Sequence, residues 1–422
     1  MSYLFTSESV AAGHPDKLCD SISDSILDEC LKIDKNARVA VETMVKGTEK
    51  KSYIIVGGEI SISPKADIDY EKIIRDTAAS IGYDNHEIGM DANDKTTCEV
   101  KVIITRQSTE ISQGIDEGIG LHMEQGAGDQ GIMFGFATDE SESYDSLKGS
   151  FMPLPSLLSH KLTLAMTNAM KNKTLSWARP DSKSQITIEY DDNNMPLRID
   201  TIVIAIQHDD LGGNLFDGDL QKEREYISSE IKEKIINKEI PLRLITEETK
   251  MIVNGTGRFV KGGPYADAGV TGRKIIVDTY GGMGRHGGGA FSGKDPTKVD
   301  RSAAYSARWA AKHVVASGLA KKCEIQLAYA IGVSEPISIS VNVNTMGTGI
   351  MPDKEITQKI QMVFDFRPMA IIEDLGLRNP IYFKTASGGH FGREYGEDGS
   401  FSWEKIDPII ISKLQKISKE KV

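Results

Sequence analysis

The feature that most constrains this 422-residue chain is an order of helix, strand pair and helix that occurs three times. The copies begin near residues 14, 153 and 296, so the period is about 140 residues. An internal repeat of this kind determines the overall architecture of the fold. In the first copy, an amphipathic pattern predicts a helix at 14–33. Alternating strands follow at 38–45 and 52–60, then a helix at 69–82 that ends at a glycine.

The same patterns predict two further copies. The second has a helix from Pro155 to about 172, strands at 185–191 and 199–207, and a charged helix at 220–237. The third has a helix capped by Asp295 with Pro296 at its first position, strands at 324–331 and 336–344, and a helix at 353–366. We therefore expect an α+β fold of three similar sheet-plus-helix domains related by pseudo-threefold symmetry. Coincidence is the alternative, because helices and strands alternate in many folds.

These copies suggest boundaries for the domains. We expect an N-terminal α+β domain at 3–108, a mobile lid loop at 109–125, a central α+β domain at 126–261, a C-terminal α+β domain at 262–404 and a tail at 405–422. The connector at 107–131 is glycine-rich, which is typical of a lid or of a disordered loop. The uncovered sheet faces need neighbouring domains or a second chain, so we expect a homo-oligomer.

Composition narrows the class of partner. With 50 basic and 61 acidic residues the chain carries a net charge of −11, which disfavours nonspecific binding to nucleic acid or an anionic membrane. No secretory pattern, membrane-length apolar run or cysteine pair motif occurs, so we expect a cytoplasmic, reduced protein.

The segment with the most unusual composition is 281–295, GGMGRHGGGAFSGKD, which follows a predicted strand at 274–280. Seven of its first thirteen residues are glycine, which suits a backbone that a phosphate approaches closely. Residues 288–294 fit GxxxxGK, but Asp295 stands where a P-loop needs Ser or Thr, so we exclude a P-loop. The alternative is a flexible glycine loop with surface lysines.

Cationic residues are frequent around this segment. Each alone is typical of a solvated surface, but together with a glycine cradle they indicate a site for a triphosphate-sized anion. They are Lys183, Arg258, Arg273, Lys274, Lys294 and Lys298.

Several carboxylates are candidates for metal or substrate. Asp16 and Asp300 near two helix starts suit magnesium shared with phosphate oxygens, although a helix cap is the alternative for Asp16. Glu42 shares a strand face with Ala40 and Met44, so burial of that face would require a metal ion or a substrate ammonium as partner; a water-facing edge is the alternative. Glu59 has the same two interpretations.

The remaining patterns concern the reaction type. Phe259, among glycines and basic residues, suits stacking on a purine or packing in the core. Neither a GxSxG elbow nor an HExxH helix occurs. The residues therefore favour a reaction on a polyphosphate that depends on positioning and electrostatics, without a covalent enzyme intermediate.

Over essentially the whole chain, the sequence resembles the S-adenosylmethionine synthetase (methionine adenosyltransferase) family. The motifs that carry this resemblance are 5–10 (FTSESV), 13–17 (GHPDK), 126–131 (GAGDQG), 271–274 (TGRK) and 287–295 (GGGAFSGKD). The resemblance implies synthesis of S-adenosylmethionine, phosphate and diphosphate from ATP, L-methionine and water. It also implies two Mg2+ and one K+ per site, and a homodimer or homotetramer with sites at the subunit interface.

The resemblance also implies residue roles. The catalytic group is His14, Lys183, Arg273 and Lys294. The ATP-binding group is His14, Asp181, Lys183, Arg258, Phe259, Asp267, Arg273, Lys274, Ala290 and Lys294. The methionine-binding group is Glu59, Gln107, Asp129, Asp267 and Lys298. The metal ligands are Asp16 and Asp300 for magnesium and Glu42 for potassium.

The chain departs from the family pattern at Gly255, Lys261 and Thr109. Two departures bear on the methionine pocket and the lid, and none removes a charged catalytic group. The competing hypotheses are a catalytically silent regulatory paralogue or threefold binding scaffold, and a different ATP-dependent phosphotransferase.

Overall fold

A computed structural model describes residues 2–63, 66–106, 130–330 and 343–416. The strands are β1 Tyr3–Val10, β2 Arg38–Gly47, β3 Ser52–Ser61, β4 Asp84–Asn85, β5 Met90–Asp91, β6 Cys98–Thr105, β7 Gly131–Thr138, β8 Ala178–Tyr190, β9 Pro196–His208, β10 Lys250–Val253, β11 Gly269–Val270 and β12 Lys322–Tyr329.

Three long helices, one in each copy of the repeat, accompany shorter ones. The helices are α1 Pro15–Ile33, α2 Tyr70–Ile81, α3 Leu154–Lys171, α4 Leu211–Asn214, α5 Leu220–Ile231, α6 Asn237–Glu239, α7 Gly263–Ala266, α8 Ile275–Asp278, α9 Val299–Ala316, α10 Asp353–Val363, α11 Pro368–Asp374 and α12 Pro408–Lys416. A π-helical segment, Lys232–Ile236, joins α5 to α6. None of the described helices is long and apolar enough to cross a membrane.

The three copies exchange strands in a cycle. The sheet of the first copy has the order β11-β2-β3-β6, and that of the second has the order β1-β8-β9-β10. In the third copy β12 pairs with β7, and Asn344 bridges to Glu324 on its other side. Thus the strand preceding each long helix, β1, β7 or β11, pairs with the next copy in cyclic order. The predicted α+β fold with three similar units is confirmed, and the predicted domain boundaries stay a prediction.

Each long helix packs on the first strand of its own pair and on the strand received from another copy. Helix α1 contacts β2 and β11, α3 contacts β8 and β1, and α9 contacts β12 and β7. Small residues on α9 allow a close approach: a Cβ on Gly135 of β7 would lie 2.0 Å from the Ala307 carbonyl carbon. Burial of these faces forms a continuous apolar core.

Several predicted elements need correction. The stretch 274–280 is not a strand but contains the short helix α8. Lys274 before it and Asp278 at its end are held by Asp16 and Lys17 of α1, so the chain turns here instead of extending along a sheet. Helix α9 begins at Val299 rather than Pro296, since Asp295 is held by β2 and caps only the turn at Thr297. Strand β8 begins at Ala178, so it includes Asp181 and Lys183.

Other predicted boundaries differ less. Helix α5 ends at Ile231, before the π-helical segment, and α10 ends at Val363 rather than 366. The predicted strand at 336–344 lies almost wholly outside the described residues.

We predict that Gly135→Ala lowers the midpoint of urea unfolding by the equivalent of about 3 kcal/mol, because a methyl group there overlaps the α9 backbone. The matched control is Gly57→Ala in β3, where the nearest atom to a new Cβ lies at 3.7 Å. Equal midpoints for the two variants would contradict the close packing of β7 on α9.

Candidate active site

Four aspartates at a spacing of four residues lie on one buried face of α1. Each accepts a backbone N–H from a segment distant in sequence. Asp16 accepts from Val270 at 3.0 Å and Asp20 from Gly272 at 2.8 Å. Asp24 accepts from Gly293 at 2.9 Å, and Asp28 from residues 382 and 383 at 2.9 and 2.8 Å. This aspartate row therefore positions both the 271–274 motif and the glycine segment.

Asp16 is the first member of the row and is surrounded by cations. Lys274 Nζ lies 2.6 Å from its Oδ2, and Arg273 Nε lies 3.7 Å from its Oδ1. Burial alone would raise the pKa of Asp16, but the hydrogen bonds from Lys274 and Val270 outweigh it and leave the pKa lowered. Asp16 is therefore an ionised carboxylate at neutral pH.

His14 caps the start of α1, where its Nδ1 accepts the N–H of Asp16 at 3.1 Å. The side chain is 3% exposed. Burial, with the charges of Lys183 and Lys274, lowers the pKa of His14 to about 3. The imidazole is thus neutral at physiological pH and suits hydrogen bonding rather than ion pairing. Lys183 is exposed on β8, opposite Val10 of β1.

The fully buried ion pair of Asp24 and Arg301 holds the glycine segment in place. The two side chains form a bidentate ion pair at 2.7 and 2.9 Å. Arg301 also donates to the carbonyls of Phe291 and Lys294, at 3.0 and 3.2 Å, while Asp24 accepts the Gly293 N–H. The peptide at 293–294 is therefore held from both sides.

The glycine segment continues one edge of the first sheet. Val41 N donates to the Gly293 carbonyl at 3.0 Å, and Asp295 N donates to that of Val39 at 3.0 Å. Gly293 has φ +79°, and a Cβ on it would lie 1.9 Å from the Val41 oxygen. Only glycine suits this position.

Along this segment, each lysine faces a carboxylate. Lys294 Nζ lies 2.5 Å from Asp300 Oδ2, and Lys298 forms a buried ion pair with Asp295. Ala290 packs against Gly272, where a Cβ would lie 2.5 Å from the alanine methyl. The glycine segment and the 271–274 motif are therefore in direct contact.

The predicted adenine and ribose residues lie near α7. Asp181 Oδ2 accepts the Gly263 N–H at 2.9 Å, and burial raises the pKa of this carboxyl to about 6. The N–H of Phe259 donates to His208 Nε2 at 3.1 Å. Arg258 pairs with Glu223 at 3.0 Å and with Asp210. Asp267 is exposed.

Glu42 and Glu59 lie on the exposed face of the first sheet, where Ala40 pairs with Glu59 on one side and Lys294 on the other. Within this chain Glu42 is therefore open to water. The predicted residues Gln107 and Asp129, and the predicted lid loop, lie outside the described residues.

The donor set fits magnesium bound partly through substrate. In the described part of the chain, no three His, Cys, Asp or Glu side chains form a metal cluster. Asp16 and Asp300 each supply one carboxylate that is paired with a lysine. Mg2+ typically binds one or two carboxylates together with phosphate oxygens and water.

Sequence reasoning missed the residues that support the site. Asp20, Asp24 and Arg301 are all fully buried. The signal was present as a carboxylate every fourth residue on a helix whose apolar residues predict burial, since carboxylates there require partners.

Comparisons with known proteins identify the family of this chain. Three family models match: S-adenosylmethionine synthetase N-terminal domain at 2–109, central domain at 124–259 and C-terminal domain at 261–405. An S-adenosylmethionine synthase of Clostridium botulinum (strain Alaska E43 / Type E3) is 51% identical over 97% of this chain and 98% of its own length. One of Sorangium cellulosum (strain So ce56) is 51% identical over 96% and 88%, respectively.

The chain therefore belongs to a class of three-domain α+β transferases. It is a member of the S-adenosylmethionine synthetase family, whose enzyme class is methionine adenosyltransferase.

We predict that His14→Asn reduces the loss of stability in acid. Unfolded histidine binds a proton near pH 6.5 and the folded His14 near pH 3, so this group's stabilisation is full above 6.5 and is lost as the pH falls. From pH 7 to pH 5 the wild type should lose about 2 kcal/mol more than the variant in urea unfolding. Parallel stability curves would show that His14 is protonated equally in both states.

Proposed function

We propose that this chain synthesises S-adenosyl-L-methionine from ATP and L-methionine by attack of the sulfur on ATP C5′, then hydrolyses the tripolyphosphate to phosphate and diphosphate. The observation that carries the proposal is a matched pair of contacts. Lys274 contacts Asp16 and Lys294 contacts Asp300, so two of the predicted ATP-binding lysines each contact a predicted magnesium carboxylate.

The chemistry requires positioning more than proton transfer. Methionine sulfur is a neutral thioether with no proton to lose, so its attack on C5′ needs no general base. It needs alignment and a stabilised leaving group. Neutral His14, at the start of α1, is suited to donate a hydrogen bond to the oxygen that leaves C5′, because its Nδ1 already accepts a backbone N–H.

Binding of ATP would exchange the partners of the site lysines. In the free chain Lys274 and Lys294 neutralise carboxylates; with ATP present they would turn to phosphate oxygens, joined by Lys183 and Arg273. Asp16 and Asp300 would then hold the two Mg2+, and Glu42 the K+, and these ions supply further neutralisation of the triphosphate charge when bound.

The other predicted residues would hold the two ends of the substrates. Arg258 and Phe259 would contact adenine, with Arg258 oriented by Glu223. Asp181, Asp267 and Ala290 would complete the ATP site, and Asp267 would also bind the methionine ammonium. Methionine would further contact Glu59, Gln107, Asp129 and Lys298, with residues 109–125 as a lid.

We propose a homodimer or homotetramer with sites between subunits, in the cytoplasm. The first sheet carries exposed apolar side chains beside Glu42 and Glu59: Met44, Tyr53, Ile55 and Ile103 are 44, 38, 37 and 51% exposed. A contiguous apolar patch of this kind marks an interface. A partner subunit there would enclose the acidic residues and complete the site.

One assay separates this proposal from its competitors. Protein, Mg2+, K+ and labelled ATP are incubated with and without methionine, and the products are resolved. Methionine-dependent loss of the whole triphosphate from C5′ supports the proposal. Release of ADP or AMP would indicate another phosphotransferase, and no turnover would indicate a silent paralogue or scaffold.

We predict that Lys294→Ala lowers kcat by about 100- to 1,000-fold, which corresponds to about 3–4 kcal/mol of barrier, because one electrostatic donor to the leaving group is lost. Lys171→Ala, at an exposed position at the end of α3, is the control and should leave kcat unchanged. An unchanged rate in Lys294→Ala would remove this lysine from the mechanism.

We predict that Ile55→Glu yields monomers in light scattering and loses activity, because a charge is introduced into the proposed interface. Leu242→Glu places the same charge on a side chain that is 68% exposed elsewhere, and it should keep both assembly and activity. Active Ile55→Glu monomers would refute sites that depend on this face.

A further inference from the structure

A cavity of about 360 Å3 lies between α3 and the glycine-rich stretch at 387–394. It shares no residue with the predicted ATP, methionine or metal sites. Apolar side chains form part of its wall, namely Leu147, Leu157, Leu164 and Phe391. Its ionisable side chains are Lys148, Lys161, Lys312, Arg393, Glu394, Glu404 and His160.

Three of the four cations that line this cavity already have carboxylate partners. Four cations face two acids, and burial with nearby cations lowers the pKa of His160 to about 3, so the histidine is neutral. Glu404 is already saturated: it accepts both arms of Arg308 at 2.9 Å, Lys312 at 2.6 Å and the Gly392 N–H at 2.9 Å. Lys148 pairs with Asp145 at 2.6 Å, and Lys161 pairs with Glu239 at 3.5 Å.

Arg393 is the cation that lacks a counter-charge. Its Nη1 donates to the carbonyls of Ser387 and Gly389 at 2.8 and 3.3 Å, and the guanidinium lies 4.5 Å from the centre of the Phe401 ring. Among the described residues, no carboxylate lies within ion-pairing distance of it, and burial lowers the pKa of Arg393 to about 10. Guanidinium has five N–H donors, so the Nε and Nη2 donors remain for a ligand in the cavity.

We propose that this cavity binds a phosphate-class oxyanion, held by the free donors of Arg393 with Lys148 and Lys161 at the rim. A partly buried cation without a partner is costly, and a planar fork of donors matches the geometry of phosphate oxygens. A phosphate group, which carries about −1.5 to −2 charges, would supply the counter-charge that Arg393 lacks. The leucines and Phe391 accommodate an organic group on a phosphate monoester. This inference is independent of the proposed function.

The test uses titration calorimetry of the full chain without Mg2+ or nucleotide, in the Lys294→Ala background, which weakens phosphate binding at the predicted ATP site. The probes are inorganic phosphate and phenyl phosphate. We expect Arg393→Gln to weaken binding at least tenfold, and Arg224→Gln, an exposed arginine on α5, to leave it unchanged. Tighter binding of phenyl phosphate would indicate an organic phosphate; equal binding would indicate free phosphate. Either result supports the site.

A second variant covers the case in which Arg393→Gln fails to fold. Leu164→Glu keeps the guanidinium but supplies a carboxylate from the cavity wall, so it should displace the anion and weaken binding by a similar factor. The melting temperature of each variant checks folding. The proposal is overturned if Leu164→Glu and any folded Arg393→Gln bind both probes as the background does, or if the background binds neither probe.

Discussion

The aspartate row on α1 is the constraint on which the rest of the structure depends. Four buried carboxylates on one helix are tolerable only where donors meet them, and the donors come from residues 270–272, 293 and 382–383. Lys274, Lys17 and Arg301 compensate three of the charges. Asp28 has only backbone donors, and burial raises its pKa to about 6. One helix thus anchors the C-terminal third of the chain.

The exchange of strands explains why this anchoring is effective. Strand β11 leaves the third copy to pair with β2 at Met44 and Val45, and the glycine segment joins the same edge at Ala40, four residues nearer the start of β2. Strand β11 and the glycine segment both lie in the sheet on which α1 packs. The same two segments are therefore held by backbone pairing with β2 and by the aspartates of α1. A mobile glycine-rich loop would lose much conformational entropy on binding triphosphate. Here the fold has already fixed it.

The repeat and most helix and strand centres were predictable because they depend on local periodicity. The errors occur where a distant contact overrides it. Residues 275–277 look like a strand, yet Lys274 and Asp278 on either side of them both pair with α1, and the short helix α8 fits between these two contacts. Pro296 and Asp295 look like a helix start, yet Asp295 Oδ2 accepts the Val39 N–H. The site motifs were found, but their support by Asp20, Asp24 and Arg301 required tertiary contacts.

The exposed position of Glu42 supports the proposal that the site lies between subunits. Its neighbours on the same sheet face, Met44 and Ile55, are apolar and exposed, whereas Lys294 lies two residues along the edge beside Ala40. Water would screen carboxylates on such a face and weaken their hold on any cation. A second subunit on this face would lower the local dielectric and strengthen the ionic contacts there. In the proposed assembly, the apolar patch and the acidic residues would therefore lie in one interface, and its formation would strengthen the electrostatic contacts on which the proposed reaction depends.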